Sequence, residues 1–150
     1  MYSCWFHYLV IGTTASDVWF YNSGRNWRKL VQTTNDSPHQ TARWIAPGQW
    51  SHFDVSEGWS GNWRVPDKDG RGTLFEFNNG RNGGNSYYDI SVIDRYNVPM
   101  NVVGPNERGQ GQINFGCWGK PCGQGYNVAT DNWATHGTTQ TNGQYYVTLG

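Results

Sequence analysis

Charge is scarce in this chain. Only 15% of its residues are Asp, Glu, Lys or Arg, against about 25% in ordinary domains. The 11 basic residues cancel the 11 acidic ones. A chain so balanced lacks the basic footprint that grips phosphates, so no nucleic-acid partner is expected. It also lacks the polybasic segment that seeks an anionic membrane surface. Long apolar runs are missing: no stretch approaches 18 apolar residues, and no transmembrane helix is expected. Helix-forming runs of Ala, Leu, Glu and Lys are missing too, which argues against a helix bundle. Cysteine is sparse and odd in number, at Cys4, Cys117 and Cys122, which excludes a small disulfide-framed scaffold. Cys117 and Cys122 enclose the turn-like Trp118-Gly119-Lys120-Pro121. Either a local disulfide closes that loop, leaving Cys4 free, or all three are thiols. The start, residues 1–7, lacks the basic region of a signal peptide. The chain is therefore either not exported by that route or a mature form with an added Met.

What is present is glycine and aromatic residues. There are 20 Gly, 9 Trp and 9 Tyr in 150 residues. That length fits one domain, residues 1–150. Many aromatics with little charge exclude disorder, because there is ample surface to bury. Residues 5–11, 18–21, 73–77, 87–93, 101–103 and 145–149 carry strand composition, and residues 48–65 hold further strand material between turn residues. Short strands separated by Gly/Asn/Ser/Pro clusters, with no sustained 3.6-residue period, predict an all-β sandwich or barrel.

Two of these strands matter most. Thr73-Leu74-Phe75-Glu76-Phe77 and Tyr87-Tyr88-Asp89-Ile90-Ser91-Val92-Ile93-Asp94 flank a polar, Gly-rich segment. It reads as a long flexible hairpin loop, since it lacks the strand–loop–helix context of a phosphate cradle. Alternation sends Phe75, Phe77, Ile90 and Val92 to the core. Glu76 and Asp89 then share the outer face, close together if the strands pair. Two such carboxyls meet the inventory of a glycosidase, one protonated and one ionised. Glu76, between two Phe, is the expected general acid, and Asp89 the base that activates water. Equally, both are ordinary carboxylates on a solvated sheet. The aromatic surplus suits sugar rings, which stack their C–H faces on aromatic side chains. Cys117 and Cys122 have loose zinc-ligand spacing, but His136 stands alone, so no metal or cofactor is expected. Residues 33–41 read as a polar loop, and Asn35-Asp36-Ser37 is a glycosylation sequon only in a secreted chain.

Residues 87–100 resemble the thaumatin-like signature: an aromatic residue, Asp89-Ile90-Ser91, two apolar residues, Asp94, and then Asn97-Val98-Pro99-Met100. Residues 73–77 resemble the Thr-Leu-Ala-Glu-Phe strand that precedes it in that family. Residues 58–64 are similar to its Trp-Ser-Gly-x-x-Trp strand, Val18-Trp19 falls in its first hairpin, and Tyr146-Val147-Thr148 resembles its closing strand. The likeness spans roughly residues 6–103 and the last six; residues 104–144 have no counterpart. The family is cysteine-rich and this chain is not. The positions of one family disulfide fall at Thr14 and Gly150, so both partners are absent together.

The resemblance implies an all-β fold, a flattened antiparallel β-sandwich, with an acidic cleft that binds β-1,3-glucan, with or without weak endo-β-1,3-glucanase and antifungal activity. It places Glu76 and Asp89 as catalytic residues, with Asp94 and Arg64 shaping the cleft. Tyr88 and Tyr96 are expected to contact substrate, with Trp59 and Trp63 as further candidates. The implied partner is a β-glucan or another cell-wall glycan, and the implied location is extracellular. The alternatives are a non-catalytic lectin and an assembling or membrane-active protein on the same fold. In the last case residues 104–144, with Trp118 and Trp133, would carry the function.

Overall fold

The computed structural model describes residues 15–37 and 39–150. Among them, eleven strands form two sheets. The strands are β1 (Ser16–Asn22), β2 (Arg28–Thr34), β3 (Gln40–Ile45), β4 (Trp50–Val55), β5 (Ser60–Arg64), β6 (Leu74–Asn82), β7 (Asn85–Ser91), β8 (Met100–Pro105), β9 (Gln112–Cys117), β10 (His136–Thr138) and β11 (Gln144–Leu149). The first sheet runs β4-β1-β11-β8-β9 and the second β10-β7-β6-β5-β2-β3. Every pairing between strands is antiparallel except β1 with β11, which is parallel. The closing strand slots between β1 and β8, so the antiparallel expectation holds with this one exception.

Period-2 alternation builds the core. In β1, Ser16, Val18, Phe20 and Asn22 point inward and are fully buried, while Asp17, Trp19 and Tyr21 point out. Phe20, Phe53, Trp63 and Phe75 meet ring to ring between the sheets. One buried amide ties the sheets together. Asn79 on β6 accepts from Ser16 Oγ and Ser86 Oγ, each at 3.0 Å, and donates to the carbonyls of Val55 and Thr141.

The segment after Phe77 departs from the expected long loop. Strand β6 continues to Asn82, and Gly83-Gly84 alone make the turn, at φ +78° and +84°. A two-residue turn of this kind needs positive φ at both positions, which glycine adopts freely. The register is irregular between Asn78 and Asn82. Gly80 there has φ +72°, as at a β-bulge. Strands β2 and β3 take the ends of the polar segment at 33–41, residues 33–34 and 40–41. β3 is an edge strand of the second sheet, where one face stays wet and hydropathy gives little signal.

Residues 104–144 do two things. The first part extends the first sheet as β9. The rest crosses to the second sheet, where β10 pairs with β7. Cys117 and Cys122 form a disulfide with Cα atoms 5.3 Å apart, so the local-loop alternative is the one realised. Cys4 and the predicted strand at 5–11 lie outside the described residues. Among the described residues, no helix is long and apolar enough to cross a membrane.

Candidate functional site

Strands β5, β6 and β7 lie side by side, and their register puts Asn62, Glu76 and Asp89 in one row on the outward face of the second sheet. Glu76 and Asp89 are direct cross-strand partners, so their side chains rise together. A groove of about 370 Å³ opens over them. Its walls carry Asn35, Ser60, Asn78, Tyr87, Tyr126 and Thr135, nearly all of them hydroxyl or amide groups. Two further hollows of about 440 and 470 Å³ share Thr135 with it and prolong it toward Glu107 and His136.

The wall from residues 118–135 is firmly held. Tyr126 N–H donates to the Ile90 carbonyl at 2.9 Å, and Val92 N–H donates to the Tyr126 carbonyl at 2.8 Å. This clamps the segment to the end of β7. The Tyr126 and Thr135 hydroxyls bond each other at 2.5 Å. Asp131 accepts from the backbone N–H groups of Asn127 and Val128, which holds its carboxyl below the usual range. It fixes the turn rather than facing the groove.

The carboxyl pair is electrostatically frustrated. Burial, then the charge of Glu76, pushes Asp89 up to about 8. Burial also raises Glu76, and a hydrogen bond from Asp89 offsets part of that rise. Asp89 Oδ1 is buried with no donor to accept from. Two like charges side by side cannot both ionise cheaply, and both carboxyls are pushed up, Asp89 the further. The sequence expectation rested on Phe75 and Phe77 flanking Glu76 as the protonated member. Both Phe face the core, on the other side of the sheet, and Asp89 is the more enclosed carboxyl.

The other predicted residues do not converge on this pair. Tyr88 is corrected outright: it is fully buried on the inner face and donates to the Pro105 carbonyl at 2.5 Å. Its ring fills the space beside Gly104, where an added Cβ would lie 2.8 Å from it. It cannot touch a substrate in the groove. Trp63 is likewise fully buried, and Trp59 packs against the core. Arg64 shares the outward face and donates to the Gly70 carbonyl, to Thr33 Oγ1 and to Asn62 Oδ1, which reaches the end of the Asn62–Glu76–Asp89 row without lining the groove. Asp94 is exposed in the turn after β7 and Tyr96 packs against the core; neither lines the groove. The groove residue with a readable signal is Tyr87, which alternation puts on the same face as Asp89. Tyr126 and Thr135 come from the segment without counterpart, and no local pattern marks them.

No family model and no curated protein matches this chain. Solved structures do. The thaumatin-like xylanase inhibitor TLXI superposes with a TM-score of 0.60 at 12% identity, over 88% of this chain and 97% of that one. The protein elicitor MoHrip2 from Magnaporthe oryzae superposes with a TM-score of 0.57 at 14% identity, over 90% of this chain and 98% of its own.

Proposed function

The chain has a thaumatin-like fold, and on that premise we propose that the groove of the second sheet binds a neutral β-1,3-glucan chain without hydrolysing it. The observation that carries this reading is the cross-strand Glu76–Asp89 pair, both carboxyls raised by burial, at the floor of an open polar groove. A sugar hydroxyl both donates and accepts. A protonated carboxyl offers the matching donor and an ionised one the matching acceptor, and charge-assisted hydrogen bonds are the stronger kind. Asn35, Ser60, Asn78 and Thr135 extend that offer along the groove, and the partly exposed ring of Tyr87 gives a surface for a pyranose C–H face.

Turnover asks for different spacing. A retaining pair stands about 5–5.5 Å apart and an inverting pair about 6.5–9.5 Å, leaving room for the sugar or for water. Glu76 and Asp89 stand side by side as direct cross-strand partners rather than on opposite walls of the groove, which favours a lectin-like role over a glucanase. Neighbours named as an inhibitor and an elicitor favour a defence-type role outside the cell for such binding.

The test is retention on insoluble β-1,3-glucan, run beside reducing-sugar release from a soluble β-1,3-glucan. We expect retention without release. Retention should fall as pH rises past about 8, where Asp89 ionises. Asp89→Asn, which keeps a donor at every pH, should hold the glucan across that range. Release that disappears in Glu76→Gln would make the protein an enzyme; failure of the wild type to be retained would end the reading.

A further inference from the structure

The opposite side of the sandwich carries a second, differently built surface. Outward-facing residues of β4, β1 and β11 place Trp50, Trp19 and Tyr146 around a shallow depression of about 330 Å³. Trp50 is 52% exposed, in the open rather than in any core. Tyr21 supports it from below, with ring centroids 4.8 Å apart, and Tyr146 stands edge-on at 6.3 Å.

A polar network fixes the edge of this platform. Trp19 Nε1–H donates to Gln144 Oε1 at 3.2 Å, Gln144 Nε2 donates to Asp17, and His52 Nε2–H donates to the other Asp17 oxygen at 2.6 Å. His52 also lies over the Trp19 ring, with centroids 4.2 Å apart. Trp19 is thus held on its face by the imidazole and on its edge by the amide. Just beyond, Asp54 leaves a carboxylate in solvent, with its side chain 76% exposed.

We propose that this platform is a second glycan-binding site, one that stacks the rings of a neutral hexopyranose chain on Trp19 and Trp50 and accepts the sugar's hydroxyls at Asp54. The polar edge selects the occupant. A lipid tail or a second copy of the apolar face would bury the Asp54 carboxylate beside only His52, 3.6 Å away and already engaged by Asp17 at 2.6 Å, and would offer it no donor of its own. A sugar brings its own O–H donors to that carboxylate while its C–H faces cover the indoles. The site uses the first sheet's outer face and does not depend on the groove of the second. Because the two faces look in opposite directions, one molecule bound at both would bridge two glycan chains, and retention on a dense glycan surface would gain from avidity.

The experiment is an NMR titration of the whole protein, reading the indole N–H resonances of Trp19 and Trp50. The probes are laminarihexaose, xylohexaose and cellohexaose. At least one hexaose should shift both indoles. Trp50→Ala should weaken that binding tenfold or more, Trp50→Phe should restore part of it, and Asp89→Asn should leave it unchanged. The proposal is overturned if no hexaose moves the indoles. It is also overturned if protein concentration alone moves them, which would assign the face to a second copy, or if phosphatidylcholine vesicles do. Loss of hexaose binding only in Tyr87→Ala, a substitution in the groove wall, would overturn it as well, while leaving the groove reading intact. Loss only in Trp50→Ala would support the platform and count against the groove.

Discussion

Asp17 and Asp89 occupy comparable places, each on the outward face of its sheet, yet their carboxyls move in opposite directions. Burial opposes ionisation at Asp17, but hydrogen bonds from His52 and Gln144 and the charge of His52 outweigh it, and the carboxyl sits below its usual range. At Asp89 burial is joined by the charge of Glu76, and the carboxyl is driven up to about 8. The directly paired neighbour is a carboxyl in both cases, Asp54 for Asp17 and Glu76 for Asp89. The difference is that β4 also brings His52 to 2.6 Å from Asp17, whereas no cation contributes at Asp89. Enclosure contributes too, since the 118–135 segment roofs one end of the groove and, among the described residues, nothing comparable covers the aromatic face. One face is therefore relaxed and presents rings; the other is frustrated and holds a proton. Frustration of this kind is characteristic of binding and catalytic sites.

The two faces share one connection that should fail for both at once. Asn79 joins Ser16 of β1, Ser86 of β7 and two carbonyls in the interior. Asn79→Ala leaves several of these groups buried without partners, at about 1–3 kcal/mol for each one left unsatisfied. We expect a loss of about 3 kcal/mol in urea denaturation, with the groove and the platform losing order together. A variant that disturbs only one face would show that the sheets are coupled elsewhere.

The next largest effect separates the faces. Between the ordinary carboxylate range and about 8, the folded protein binds more protons at Asp89 than the unfolded chain does. Stability from this group is therefore full at low pH and is lost as pH rises through that interval. Asp89→Asn removes the repulsion and should flatten the profile. It should gain of order 1 kcal/mol at pH 8 to 9, since replacing a frustrated buried charge is commonly neutral or stabilising. Denaturation midpoints at a series of pH values check this; a profile as steep in Asp89→Asn as in wild type would move the proton elsewhere.

How far these faces could be read in advance depends on which strands they join. Glu76 and Asp89 sit on consecutive strands of one hairpin, so alternation alone places them together, and it distinguishes Tyr87 from Tyr88 by the same parity. Choosing Tyr88 followed the motif instead of the parity. Tyr126 and Thr135 reach the groove by a long crossover, which composition does not encode. The aromatic platform is invisible for a related reason. Trp19, Trp50 and Tyr146 are far apart in the chain, and they meet only because β11 inserts parallel to β1 while β4 pairs on its other side. Each Trp alone looks like core. The sheet order is what turns three of these aromatics outward together.

The smallest effect tests the relaxed face, and its sign is opposite. Asp17 is held below its usual range, so the folded state binds fewer protons there than the unfolded chain. Its contribution is present above the ordinary carboxylate value and is lost as pH falls through the lowered one. The pair is partly open to solvent, with side chains of His52 and Asp17 32% and 30% exposed. The gain is thus that of a surface ion pair, about 0.2–1 kcal/mol, and salt should screen it. Asp17→Asn keeps the size of the side chain and leaves His52 without its ionised acceptor. A double-mutant cycle with His52→Gln, measured near pH 6 and again near pH 3, isolates the coupling. It should be favourable at the higher pH and weaker at the lower, the reverse of the trend at Asp89. Coupling that does not weaken at all between the two would mean that stacking of His52 on Trp19, not charge, holds this edge. The platform would then keep its geometry through acid, while the carboxyls of the groove on the other face take up protons.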